Sequence, residues 1–206
     1  HILALFRELH MRIVTTLHTI LENPDPDQRR VLKEVAALSD RLVVMSTLGA
    51  QFLHTIYGVQ AEKIDVIPHG IPDVPFVDPS FHKDIFGVEG KFVLLSFGLL
   101  SPNKGYETVI AALPAIVDRY PNLVYIILGV THPHVLQQNG ESYRLSLQWL
   151  AQEKGVESNV IFYNRFVSLE ELIEFIGAAD IYITPYLNAA QITSGTLAYT
   201  VGAGKA

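Results

Sequence analysis

The sequence predicts an α/β protein made of two doubly wound pieces, each a parallel sheet covered by helices. Three observations predict it. Strand-like apolar runs alternate with helical patterns along most of the chain, which implies βαβ units with right-handed crossovers. Phe92–Phe97 and Leu123–Val130 are nearly unbroken apolar runs, as expected of parallel strands buried on both faces. Between the two pieces, Val74–Glu89 carries Pro75, Pro79 and Gly87 among polar residues and reads as a linker.

Taken in order, His1–His10 places Ile2, Leu3, Leu5, Phe6 and Leu9 on one helical stripe. Arg12–Thr19 reads as a strand ending in a polar loop that holds His18. Asn23–Asp27 is a turn and helix start, with Asp25 or Asp27 able to cap. A helix over Gln28–Leu38, a buried strand over Arg41–Met45 and a helix over Thr47–Tyr57 closed by Gly58 follow. Lys63–Pro68 is a third strand, leading into His69-Gly70-Ile71-Pro72. Beyond the linker the strands are Phe92–Phe97, Asn122–Leu128, Val160–Tyr163 and Ile181–Thr184. The helices are Tyr106–Arg119, Ser142–Lys154, Ser168–Ala178 and Ser194–Val201. The domains are accordingly expected at residues 1–73 and 91–206, with 74–90 between them. A chain that opens within a helix without an initiator methionine, and closes on Gly-Ala-Gly-Lys-Ala with no strand after it, reads as a fragment. Its first domain is expected to be incomplete and its second truncated.

The 206 residues are 49% apolar, ample for a buried core, and carry a formal charge of −6. That balance argues against a nucleic-acid binder, which would show a basic stripe, and against strong attraction to anionic membranes, although a local patch leaves peripheral contact open. The chain has no cysteine, which excludes disulfides and thiolate metal sites and fits a reducing, cytoplasmic compartment. The longest apolar runs are too short to span a bilayer. No cationic stretch precedes an apolar segment and cleavage site, so no signal peptide is read.

The candidate residues lie where strands end, because open α/β sheets bind ligands outside the carboxyl ends of their strands. After Phe92–Phe97 come Gly98, the Ser101-Pro102-Asn103 loop, and Lys104-Gly105 at a helix start. A helix N-terminus attracts anions and a lysine beside it adds charge; the plainer alternative is an ordinary crossover with a solvated lysine. Thr193-Ser194-Gly195-Thr196 opens the last helix and offers amides and hydroxyls suited to a diphosphate, or simply an N-cap. Gly195 favours close backbone approach, since glycine costs about 1 kcal/mol against alanine inside a helix. His18 can donate to a sugar hydroxyl or a developing charge, or serve structurally. Arg165 and Phe166 follow another strand and suit phosphate or base stacking, or local packing. His132 and His134 lack a third ligand nearby and read as a polar loop rather than a metal site. His69 reads as part of a turn. There is no G-x-G-x-x-G after a strand, no Walker loop and no G-x-S-x-G elbow. Dehydrogenase, P-loop and α/β-hydrolase readings therefore lose their main support.

The order VIPHGIP, SFGLLSPNKGYETVIAAL, LGV, VIFYNRFVSLEELIEFIGAADIYITPY and SGTLAYTVGAGKA resembles the GT-B glycosyltransferases of family four, from about Arg12 to Ala206. The resemblance implies a retaining enzyme that moves a sugar from a nucleotide diphosphate sugar to an acceptor hydroxyl. It implies two Rossmann-like domains facing a cleft, with the donor mostly on the second domain and a carbohydrate or lipid-linked acceptor mostly on the first. It implies that Gly98 and Lys104 bind phosphate and that Thr193, Ser194, Gly195 and Thr196 hold the distal phosphate and donor sugar. Arg165, Phe166 and Val167 would cup the base, and His18 would approach the donor sugar. No cofactor and no metal are implied. Three positions depart from the family pattern. Leu99 stands where an arginine is usual, and Gln191 and Tyr199 stand where two glutamates eight residues apart are usual. Gln191 can hydrogen-bond a sugar hydroxyl without being a carboxylate, and Tyr199 can reach a ribose. His18, Lys104 and Gln191 are thus the expected catalytic residues. Two other readings stay open: a degenerate domain that binds nucleotide, sugar or protein without turnover, and an epimerase or phosphorylase. This chain alone is expected to bind nucleotide without transferring sugar.

Overall fold

The computed structural model of the chain describes residues 2–187 and 192–205. The chain divides into two compact units. One is His1–Gly70 with Ala189–Gly195, the other Ile71–Asn188 with Thr196–Ala206.

In the first unit, α1 (Ile2–Glu8) precedes β1 (Val14–Leu17), α2 (Pro26–Leu38), β2 (Arg41–Val44), α3 (Thr47–Thr55) and β3 (Ile64–Val66). The three strands pair in parallel in the order β1-β2-β3. The expected strand over Arg12–Thr19 is shorter because only four of its residues find a partner in β2. Asp25, not Asp27, caps α2. Its carboxylate accepts from the Gln28 amide at 2.8 Å while the Gln28 side chain accepts from the Asp25 amide at 2.9 Å, so two end donors are satisfied reciprocally. Leu42, Val44, Leu53, Tyr57 and Ile20 form this unit's core. The apolar stripe expected on α1 buries none of its residues, and Ile2 and Leu5 are exposed.

The second unit holds α4 (Ser80–Lys83), β4 (Phe92–Phe97), α5 (Tyr106–Val117), β5 (Leu123–Leu128), α6 (Pro133–Asn139), α7 (Ser142–Glu153), β6 (Val160–Tyr163), α8 (Leu169–Ala178) and β7 (Ile181–Tyr182). α9 (Gly195–Gly202) falls in this unit from Thr196 onward. The strands are parallel in the order β6-β5-β4-β7. Every residue of β5 is buried, as its apolar run requires. Side chains alternate between two faces. Leu94, Tyr125 and Ile127 join Ile110 and Leu113 of α5 and Leu147 of α7 on one face. Val93, Leu95, Phe97, Val124 and Ile126 join Phe175 and Ile176 of α8, with Tyr199 of α9 packed against them, on the other.

Two further expectations differ from the structure. The stretch 74–90, read as a linker, carries α4 and a 3₁₀ turn over Asp84–Phe86, and its Val88 is buried. Lys83 is buried as well. Its Nζ donates to Asp180 Oδ2 and to the Lys91 carbonyl, each at 2.8 Å. A buried ammonium must be paired, and that pairing ties the segment to the start of β7. Prolines and polar residues thus mark an irregular packed segment rather than a free connector. The His132–His134 region, read as a polar loop, starts α6 instead, because His132 Nδ1 accepts from the His134 amide at 3.1 Å and Pro133 suits the first turn.

Candidate functional site

The strand order of the second unit fixes where a ligand can lie. From β4 the chain passes outward to β5 and β6, then returns to place β7 on the other flank of β4. The helix after β4 packs on one face of the sheet and the helix after β7 on the other. The two connections therefore diverge at the carboxyl tips of β4 and β7, and the crevice between them is the site such sheets use.

Three links close the two loops onto each other there. Gly105 ends the 3₁₀ turn Pro102–Lys104 in a left-handed conformation. A Cβ on Gly105 would lie 2.1 Å from the Pro185 carbonyl oxygen, so only glycine permits the approach. The Leu187 amide donates to the Asn103 carbonyl at 3.1 Å. The Lys104 ammonium stands 3.8 Å from the centre of the Tyr186 ring, in cation–π range. The Tyr186 hydroxyl in turn shares a hydrogen bond of 2.8 Å with the Thr196 hydroxyl. Below them, Tyr125 donates to Ser96 Oγ at 2.9 Å and Ser96 donates to the Ile183 carbonyl at 2.6 Å. That buried chain couples β4, β5 and the end of β7. Burial pushes the Tyr182 hydroxyl far above its ordinary range, and it also interacts with Thr196.

Gly98 lies beside this cluster. A Cβ there would meet the Thr196 methyl at 3.7 Å. Gly98 and Leu99 also line a hollow of about 200 Å³ with Phe97, Gly129, Arg165, Phe166 and Val167. The structure therefore brings Gly98, Lys104 and Thr196 together, and sets Arg165–Val167 across a shared hollow from Gly98. Phe166 is 75% exposed, a flat apolar surface open to a ligand. Arg165 is engaged by Glu171 through both of its terminal nitrogens, one at 2.8 Å. That hydrogen bonding, with the opposite charge behind it, holds the Glu171 carboxyl below its usual range. Arg165 is thus a braced wall of the hollow rather than a loose cation. Tyr199 packs partly buried against the core of its unit, as does Val167.

The remaining expected residues lie elsewhere. His18 is exposed just past the end of β1, in the first unit. Thr193, Ser194 and Gly195 also count with the first unit. There, Thr193 Oγ1 is 3.9 Å from Met45 Sδ, and a Cβ on Gly195 would lie 2.8 Å from His69 Nε2. His69, read from the sequence as a turn residue, is therefore what occupies the space that Gly195 leaves. Gln191 falls outside the described residues. Among those described, no three His, Asp or Glu residues stand close enough to hold a metal ion, and no helix is long and apolar enough to cross a membrane.

Sequence reasoning misses Tyr186. A signal exists: a Pro-Tyr pair directly after a strand in a doubly wound sheet falls at a strand tip, where ligands gather.

Comparison with known proteins shows the family and the fold. Residues 78–190 match the family model described as glycosyl transferases group 1, and residues 1–73 match that of glycosyltransferase family 4. The chain is 27% identical, over 187 residues, to the D-inositol 3-phosphate glycosyltransferase of Rhodococcus erythropolis. The match covers 84% of this chain and 41% of that protein. It is 26% identical to the GDP-mannose-dependent alpha-(1-6)-phosphatidylinositol monomannoside mannosyltransferase of Mycolicibacterium smegmatis, covering 78% and 40%. The chain thus spans less than half the length of these curated relatives. The structure of Anabaena HepE in complex with UDP and glucose superposes with a TM-score of 0.75 at 20% identity, over 94% of this chain and 51% of that one. The fold is accordingly of the GT-B type.

Proposed function

Because the chain belongs to the group 1 glycosyl transferases, we propose that the β4/β7 crevice binds the nucleotide diphosphate sugar from which the complete protein transfers a sugar, with retention of configuration, to an acceptor hydroxyl. One observation carries the reading: Lys104 stands over the Tyr186 ring, whose hydroxyl is bonded to Thr196, and Thr196 lies against Gly98 of the hollow that Arg165–Val167 also line. Among the described residues no carboxylate pairs with Lys104. The base and ribose would occupy the hollow against Phe166, and the diphosphate would face Lys104 and Thr196.

In the reaction the bond from the sugar's anomeric carbon to the diphosphate breaks, a bond from that carbon to the acceptor oxygen forms, and the acceptor's hydroxyl proton passes to the departing diphosphate. Negative charge gathers on the leaving diphosphate as its bond lengthens. Lys104 and the Thr196 hydroxyl would stabilise it, already oriented before the charge develops. This reading involves no divalent metal and no other cofactor. His18, at the tip of a strand of the first unit, is assigned to the acceptor side. The acceptor is taken as a carbohydrate or lipid-linked hydroxyl, and the cysteine-free composition goes with a cytoplasmic location.

Leu99 at the hollow, where a cation is expected, favours a second reading in which the domain binds nucleotide without turnover. Calorimetric titration of UDP, GDP and ADP against the complete protein, followed by incubation with the matching nucleotide sugar, separates the two. One diphosphate is expected to bind at micromolar to low millimolar Kd, and its sugar to be transferred or slowly hydrolysed. Binding without any turnover selects the second reading, and no binding at millimolar concentration removes both.

A further inference from the structure

We propose that Tyr186 is the positioning residue for Lys104, and that it does so with a neutral ring so that the full lysine charge stays available to the diphosphate. The inference rests on the donor-site reading above and adds to it a residue that neither the sequence motifs nor the comparisons assign.

Two cations of this unit show how a carboxylate holds a charge. Lys83 is buried and bound to Asp180 at 2.8 Å. Arg165 is clamped by Glu171. In both, a carboxylate fixes the cation and largely cancels its charge, which suits a structural cation. A cation that must meet an incoming diphosphate faces a different requirement. Held by a carboxylate, it would have to surrender that partner before binding phosphate, and the displaced carboxylate would then repel the ligand. Left unheld, a lysine keeps the rotamer freedom of its long flexible stem, which binding would have to overcome.

An aromatic face avoids both. The ring's quadrupole attracts the ammonium but carries no net charge, so the field that reaches the crevice is still that of a full positive charge. The ring sits on one side of the ammonium, 3.8 Å from it, which leaves the other donors for ligand. Tyr186 is itself fixed. Its hydroxyl is bonded to Thr196 at 2.8 Å, its neighbour Leu187 donates to the Asn103 carbonyl at 3.1 Å, and the Pro185 carbonyl is seated over Gly105. One side chain therefore sets the distance between the two groups assigned to the diphosphate. The ring serves Lys104 and the hydroxyl serves Thr196, and the two contributions are separable by substitution.

The test compares Tyr186→Phe and Tyr186→Leu with wild type in the complete protein. It measures Kd for the nucleoside diphosphate that wild type binds and for the corresponding nucleoside. Tyr186→Leu removes the ring and is expected to weaken the diphosphate about 5- to 10-fold, within the range of a partly desolvated cation–π contact, with the nucleoside unchanged. Tyr186→Phe keeps the ring and is expected to stay within about 3-fold of wild type, the scale of one neutral hydrogen bond. Equal losses for diphosphate and nucleoside, or no loss in Tyr186→Leu, overturn the proposal. If Tyr186→Leu does not fold, the proton resonances of the Lys104 ε-methylene decide on wild type. They should lie upfield of the other lysines through the ring current and move when diphosphate is added, and an unshifted position overturns the proposal. A wild type that binds no diphosphate instead removes the donor-site reading itself, so the two failures are distinct.

Discussion

Lys104→Ala is expected to weaken the nucleoside diphosphate about 10- to 100-fold while leaving the parent nucleoside unchanged. The size follows from the loss of one charge-assisted contact to phosphate, worth about 1.5–3 kcal/mol. The selectivity follows from the geometry, because the hollow lined by Phe166 and Val167 holds no part of Lys104. Sugar transfer is expected to fall further, about 10²- to 10³-fold, since charge on the leaving diphosphate is greatest in the transition state. Lys104→Arg should recover part of both. Stability without ligand should change little, because among the described residues the ammonium's partner is the neutral Tyr186 ring and no carboxylate is left unpaired. Parallel titrations with diphosphate and nucleoside and a thermal melt check all three statements. A mutant that loses nucleoside and diphosphate equally would mean that Lys104 shapes the unit rather than meeting phosphate.

Gly105→Ala should destabilise the protein strongly, well beyond Lys104→Ala or either Tyr186 variant. The residue sits at φ +68°, and its added Cβ would lie 2.1 Å from the Pro185 oxygen and 3.1 Å from the Leu187 side chain. Both neighbours belong to the loop that positions Tyr186, so the chain cannot relax without opening the crevice. The left-handed conformation alone costs about 1–2 kcal/mol for a residue with a Cβ. The forced separation should bring the total to about 3 kcal/mol or more. For a chain of this size that lowers Tm by roughly 6–12 °C. Gly155→Ala is the control: φ is +66°, but nothing lies within 4 Å of its Cβ, so only the conformational part should appear. If the two mutants melt alike, the Gly105–Pro185 approach is not a constraint. Gly105→Ala should also weaken diphosphate binding, because Lys104 precedes it directly.

Much of the fold is legible because parallel strands and their helices leave strong periodic signals. Phe92–Phe97 is bounded as its apolar run suggests, and α8 begins after Ser168, whose hydroxyl accepts from the Glu171 amide at 3.2 Å. The stretch 74–90 reads as a linker because prolines and polar residues are equally common in free connectors and in irregular segments that pack. What distinguishes the two is Lys83, whose partner Asp180 lies 97 residues away in sequence, and local pattern cannot see such a pair. The helix after Thr131 leaves little trace in the sequence because its cap is a histidine side chain, a rare choice beside Ser, Thr, Asp or Asn.

The site is legible in part for the same reason. Strand tips point to Gly98, Lys104 and Arg165–Val167, and motif order points to Thr196. Arg165 reads as a phosphate ligand because its partner Glu171 lies on the next helix. The Pro-Tyr pair places Tyr186 at a strand tip, but its partnership with Lys104 depends on β7 returning to the flank of β4, a fact of strand order rather than of sequence neighbourhood. Thr193–Gly195 and Thr196 read as one loop, whereas the structure divides them between the two units.

A crystal structure of the complete protein with its nucleoside diphosphate tests the central claim most directly. The account predicts the base against Phe166 and the terminal phosphate within about 3 Å of Lys104 Nζ and the Thr196 hydroxyl, with the lysine still over the Tyr186 ring. A diphosphate bound with Lys104 turned away from it, or lodged outside the β4/β7 crevice, would contradict the account.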